Sequence, residues 1–109
     1  MSYSVISIPR FDKEFKRLSK KYNSLRKDLT LLVAGLIDNP TMGVMVTKNC
    51  YKIRMSISSK GKGKSGGARI ITYVISPEET IFLLSIYDKS KQASITDKEL
   101  QTLIESIGL

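Results

Sequence analysis

Histidine and tryptophan are absent from this chain, and cysteine occurs once, at Cys50. Without an imidazole there is no histidine base to activate a serine or a thiol, and a lone cysteine cannot build a zinc site. One cysteine also excludes an internal disulfide framework, which fits a reducing compartment. Cys50 reads as a small buried apolar residue. No apolar run approaches the roughly 20 residues that span a bilayer. Met1 to Ile8 shows neither the basic nor the apolar region of a secretory signal. The expectation is a cytoplasmic protein with no membrane partner and, at 109 residues, a single domain over 1–109.

A second absence is more informative. Between Asn39 and Pro77 there is no aspartate or glutamate, while Lys48, Lys52, Arg54, Lys60, Lys62, Lys64 and Arg69 all fall in that window. The rest of the chain carries 11 basic and 10 acidic residues, so this window supplies nearly all of the net charge of +8. A basic excess gathered in one acid-free stretch points to an anionic partner.

The organisation follows from periodicity. Tyr3 to Ile8 is short and β-branched and stops at Pro9, as a strand does. Phe11, Phe15, Leu18, Tyr22, Leu25, Leu29, Leu32 and Leu36 then recur at helical spacing. The Asn23-Ser24 pair divides this run into a helical hairpin, and Asn39-Pro40 ends it. Tyr51, Ile53, Met55 and Ile57 alternate with Lys52, Arg54, Ser56 and Ser58, which predicts a half-buried strand with both cations on its outer face. Arg69 to Ile75 and Thr80 to Tyr87 are two further strands, separated by a turn at 76–79. Short connections imply an antiparallel meander. A C-terminal helix opens at Thr96 and Glu99, which have capping-box spacing, and buries Leu100, Leu103, Ile104 and Ile107. The fold class is α+β: an antiparallel sheet, an N-terminal helical hairpin on one face and a short C-terminal helix.

Residues 58–69 alternate lysine with glycine and run through Gly66-Gly67 into Arg69. Glycine lets the backbone approach another surface closely, and lysines without acids concentrate positive field. The segment is not a P-loop, because the glycine-to-lysine spacing is wrong and a strand follows. It reads instead as a basic hairpin loop. Lys52 and Arg54 before it and Arg69 after it can converge on one sheet surface, where fixed cations clamp a phosphate better than loop cations do. Tyr87, at the end of the third of these strands, can stack on a base or donate a hydrogen bond, and Lys89 can contact phosphate. Tyr51 and Tyr73 read as ordinary sheet residues.

Lys52-Ile53-Arg54, the run from Ser59 through Gly66-Gly67 to Arg69-Ile70-Ile71 and Tyr73, and the later Leu83-Leu84, Ile86-Tyr87 and Lys89 together resemble the HigB branch of the RelE/ParE toxin superfamily. The resemblance covers most of the chain. It implies the toxin half of a bacterial type II toxin–antitoxin pair, and an mRNA endonuclease acting in the ribosomal A site. It implies no metal or other cofactor: the 2′-OH attacks the adjacent phosphate, leaving a 2′,3′-cyclic phosphate and a 5′-OH. The implied partners are mRNA, ribosomal RNA and a HigA-like helix-turn-helix antitoxin. By the same resemblance Arg69 stabilises the transition state and Lys52 and Arg54 hold the scissile phosphate. Tyr87 orients the base, Lys89 is the basic residue at the strand end, and Lys48, Lys60, Lys62 and Lys64 bind RNA backbone. The position matched by Arg54 is a lysine in RelE, and arginine is a poor base. Lys52, Lys60, Lys62 and Lys89 therefore all stand as candidates for the general base. Two other functions fit the basic loop: a ParE-like inhibitor of DNA gyrase, and a non-catalytic RNA- or DNA-binding module.

Overall fold

The computed structural model describes residues 2–61, 66–92 and 94–108. Its elements are β1 (Ser4–Ser7), α1 (Pro9–Lys21), α2 (Leu25–Asp38), β2 (Val44–Thr47), β3 (Cys50–Met55), β4 (Ala68–Ile75), β5 (Thr80–Asp88) and α3 (Asp97–Ser106). Short 3-10 turns at Ser58–Lys60 and Ser76–Glu78 follow β3 and β4. The strands form one sheet in the order β1-β5-β4-β3-β2.

The helical hairpin is where the periodicity puts it. Pro9 opens α1, where its missing N–H costs nothing. The break falls at 22–24, and Tyr22 N donates to Leu18 O as α1 closes. At α3 the capping box is complete: Thr96 Oγ1 accepts from Glu99 N at 3.1 Å, and Glu99 Oε1 accepts from Thr96 N at 3.4 Å. Leu100 and Leu103 are buried in the core, whereas Ile104 and Ile107 only pack against it. Among the described residues no helix is long and apolar enough to cross a membrane.

The sheet departs from the antiparallel expectation at its edges. β3, β4 and β5 are the expected meander, but β1 lies parallel to β5. Sequential hairpin logic fails there because β1 and β5 come from opposite ends of the chain. β2 carries no alternating pattern, since all four of its residues are exposed, so period-2 reasoning passes over it. It pairs antiparallel with β3 only as far as Val44↔Lys52.

Alternation along the strands divides the central sheet into two faces. Ile53, Ile70 and Ile86 are direct cross-strand partners and almost wholly buried, in one core with Phe11, Leu25 and Leu36 of the helical hairpin. The residues next to them in sequence, Arg54, Arg69 and Tyr87, form the adjacent row on the other face.

Where β1 ends, β5 would present a bare edge. Ile8 N still donates to Leu83 O at 3.2 Å. Beyond it Glu14 of α1 takes over: its Oε1 accepts from Ser85 Oγ at 2.8 Å and from Ile86 N at 3.3 Å. A helix carboxylate thus replaces the missing strand. Replacing Glu14 by alanine is expected to cost about 1–3 kcal/mol, the usual penalty for stranding buried donors. Glu14→Gln, which keeps an acceptor oxygen, should cost less. Urea unfolding of the two variants checks this.

Candidate nucleic-acid interface and active site

Strand register builds the site. Arg54 of β3 pairs with Arg69 of β4, and Arg69 pairs with Tyr87 of β5. Directly opposed Cβ atoms in antiparallel strands stand about 4.5–5.5 Å apart, and like charges so placed repel. The pairing sets two arginines of an acid-free window side by side on one sheet face, where a phosphate laid across them would meet both. Arg54 is exposed, whereas Arg69 is only 5% exposed and donates from Nη1 to Ala68 O at 3.2 Å. One guanidinium is therefore held in place and the other is free to reach.

Lys52 lies two residues before Arg54 on the same face and is half-buried. With Met42, Gly43, Val44 and Ile53, Lys52 and Arg54 line an open cavity of about 550 Å³. Tyr87 closes the row on the far side. It is 4% exposed, and its hydroxyl has no hydrogen-bond partner among the described residues. Burial raises its pKa, and the charge of Arg69 pulls the other way. Tyr87 thus stays protonated near neutral pH and offers an O–H donor beside Arg69. Lys89 follows β5 in a turn, and its backbone N–H donates to Gly67 O at 3.0 Å.

Gly67 is required at that point. A Cβ added there would run into the carbonyl oxygen of Met55, so no other residue lets β4 start so close to the end of β3. Gly61, at φ 72, supplies the left-handed turn that ends the 3-10 segment.

The structure therefore brings Lys52, Arg54, Arg69 and Tyr87 onto one face, with Lys89 in the turn just after β5. It does not bring Lys48 to them. Lys48 sits in the β2–β3 turn, six residues from Arg54, at the opposite end of the strand and roughly 20 Å away at strand rise. Lys62 and Lys64 lie outside the described residues.

Lys60 is placed unlike the other lysines. Its ammonium donates to Asp88 Oδ1 at 2.8 Å and to Ser90 Oγ at 3.0 Å, and stands 5.4 Å from the Tyr22 ring centroid. Its side chain is 12% exposed and that of Asp88 2%. By alternation Asp88 points to the helical side of the sheet, opposite to Tyr87. Lys60 is thus directed away from the Arg54–Arg69–Tyr87 row. The Asp88 hydrogen bond, foremost among the causes, raises its pKa, which suits an anchor and not a general base. Neither the lysine count nor the spacing marks Lys60 as different. The signal in the sequence is Asp88, one of the first acids after the acid-free window, directly beside Tyr87.

Asp88 is the acceptor hub of this corner. Besides Lys60 it accepts from Tyr22 Oη at 2.7 Å, from Ser90 N at 3.0 Å and from Ser90 Oγ at 2.7 Å. Burial alone would raise its pKa, but these donors hold it well below the usual carboxylate range. A second carboxylate secures the chain just before Lys60. Asp28 accepts from Ser58 N at 3.0 Å and from Ser24 Oγ at 2.8 Å, and Ser59 N donates to Ser24 Oγ at 2.8 Å.

A small basic α+β domain with paired guanidiniums and a buried tyrosine on one sheet face belongs to the class of proteins that handle nucleic-acid phosphates. The family can be stated: residues 9–107 match the model of the RelE toxin of the RelE/RelB toxin–antitoxin system, and the chain belongs to that family. Among solved structures it is similar to an Escherichia coli RelE double-arginine mutant in the free state, with TM-score 0.65 and 19% identity over 98% of this chain and 99% of that one. It is also similar to the toxin in the intact E. coli RelBE toxin–antitoxin complex, with TM-score 0.61 and 21% identity over 79% of this chain and 95% of that one. A third match is the RelE mutant bound to an antitoxin RelB peptide, with TM-score 0.63 and 19% identity over 94% of each chain.

Proposed function

We propose that this toxin is a ribosome-dependent mRNA endonuclease that inhibits translation, folded as one domain over 1–109. The observation that carries this reading is the cross-strand row Arg54–Arg69–Tyr87. Attack of a 2′-OH on the neighbouring phosphate builds negative charge on the phosphoryl oxygens. Preorganised cations stabilise that charge most when they are already fixed before the reaction. Arg69, held by the sheet, takes that role; Lys52 and Arg54 bind the scissile phosphate, and Tyr87 orients the base or donates to a phosphate oxygen. With Lys60 committed to Asp88, the general base falls to Lys52, on the same strand face as Arg54, or to Lys89. No residue here needs a metal. Lys62 and Lys64 engage RNA backbone by charge. The partner that restrains the toxin is a cognate antitoxin of the HigA-like helix-turn-helix kind, and the net charge of +8 suits an acidic segment of it.

Induced expression should arrest growth and cut mRNA on translating ribosomes, leaving 5′-OH ends. Growth arrest with DNA damage and intact mRNA would place the protein with the gyrase inhibitors. Salt-sensitive RNA binding without cleavage would make it a binding module.

A further inference from the structure

Asp88 combines three properties that the row on the other face does not use. It is buried, at 3% exposure, it is charged, and it is bonded to three separate parts of the chain. Tyr22 is the residue that caps α1, Lys60 is the last residue before Gly61, and Ser90 follows the end of β5. A buried carboxylate is costly unless paired, and this one holds a point where helix, turn and strand meet. The next residue, Lys89, holds Gly67 through its backbone, so both ends of the Lys-Gly segment are fastened to adjacent residues of one strand end. Tyr87, which precedes Asp88, projects to the opposite face, where the two arginines are, and Lys89 opens the turn that follows.

We infer that Asp88 is a positioning residue for RNA capture: anchored to Tyr22 and Lys60 on the helical side, it fixes the strand end that presents Tyr87 to RNA, and touches no RNA itself. The inference rests on the RNA-directed reading of the opposite face. It makes a prediction opposite in sign to simple electrostatics. Deleting an acid from a basic protein strengthens its attraction for RNA through charge alone. Deleting a positioning acid weakens it.

The test uses the full chain and a fluorescent single-stranded oligouridylate, with affinity read by anisotropy at fixed salt. Asp88→Asn keeps the shape and removes the charge. The expected result is about tenfold weaker binding, the scale seen when an outer residue that orients a site is lost. Lys60→Met should weaken binding as well, and the double variant should lose less than the sum of the two single losses, because both break the Asp88–Lys60 contact. On translating ribosomes the loss should appear as a raised KM. Unchanged or tighter RNA binding by a natively folded Asp88→Asn would overturn the inference. If that variant does not fold, Tyr22→Phe decides: it leaves net charge untouched and frees Asp88 Oδ2, so it should also weaken binding, and wild-type affinity would be the overturning result. A protein of this charge binds RNA whether or not it cuts it. Absence of cleavage by the wild type would therefore defeat the nuclease reading, while the affinity comparison still judges Asp88.

Discussion

Replacing Arg69 by alanine is expected to lower the rate of mRNA cleavage by about 10²–10³-fold, the usual cost of removing one fixed donor from a transition-state anion site. The loss should fall on kcat more than on KM. Arg69 sits at 5% exposure in the middle of the row, between Arg54 on one strand and Tyr87 on the other, and has little freedom to serve ground-state capture alone. Arg54, which is exposed, should show the reverse balance, with KM affected more. Arg69→Lys keeps the charge but not the planar fork, so it should recover only part of the rate. Counting 5′-OH ends on ribosome-bound mRNA measures each variant, and thermal unfolding confirms that the fold survives. An Arg69→Ala protein that cuts at the wild-type rate would show that the chemistry lies elsewhere.

The largest expected effect on stability is at Asp88. Asp88→Ala leaves the Lys60 ammonium, the Tyr22 hydroxyl and the Ser90 donors without their acceptor. Breaking a buried charge pair from one side typically costs about 3–5 kcal/mol. Domains of this size are stable by only about 5–15 kcal/mol, so the variant should unfold at much lower denaturant. The same pair sets a pH window. The folded pKa of Asp88 lies below its ordinary 3.8, so its contribution is complete above that value and fades as pH falls toward the folded one. The folded pKa of Lys60 lies above its ordinary 10.5, so its contribution is complete below that value and fades as pH rises through the folded one. The gap in stability between wild type and Asp88→Ala should therefore be flat from about pH 4 to 10 and shrink on both sides. Denaturant midpoints across pH measure the gap directly. A gap that vanished near pH 7 would contradict the ion pair.

Much of this is legible in the amino-acid sequence alone. Phe11 through Leu36 announced a helical hairpin because helical spacing persists over many turns, and Thr96 with Glu99 announced a helix start because both capping partners are local in sequence. The pairing of Arg54 with Arg69 is legible too: they flank one hairpin, so their register follows from the loop between them. What escaped depends on distant contacts. The parallel seat of β1 beside β5 joins residues about 75 positions apart. The edge strand β2 buries neither face, so no pattern marks it. Lys60 looked like its neighbours Lys62 and Lys64 because charge counts do not record which way a side chain points. The alternation of β5, which sends Asp88 to the helical side, is what marks Lys60 as an anchoring lysine.

The order of strands also has a consequence for when this protein becomes a toxin. β5 is the last strand made, yet it lies between β4 and β1, and it brings Tyr87 to Arg69 and Asp88 to Lys60. While the ribosome is still synthesising the first two-thirds of the chain, the β3–β4 hairpin lacks its third strand and β1 has no neighbour to pair with. The row of Arg54, Arg69 and Tyr87 assembles only after β5 has emerged, so a message truncated before β5 yields a product without the completed row.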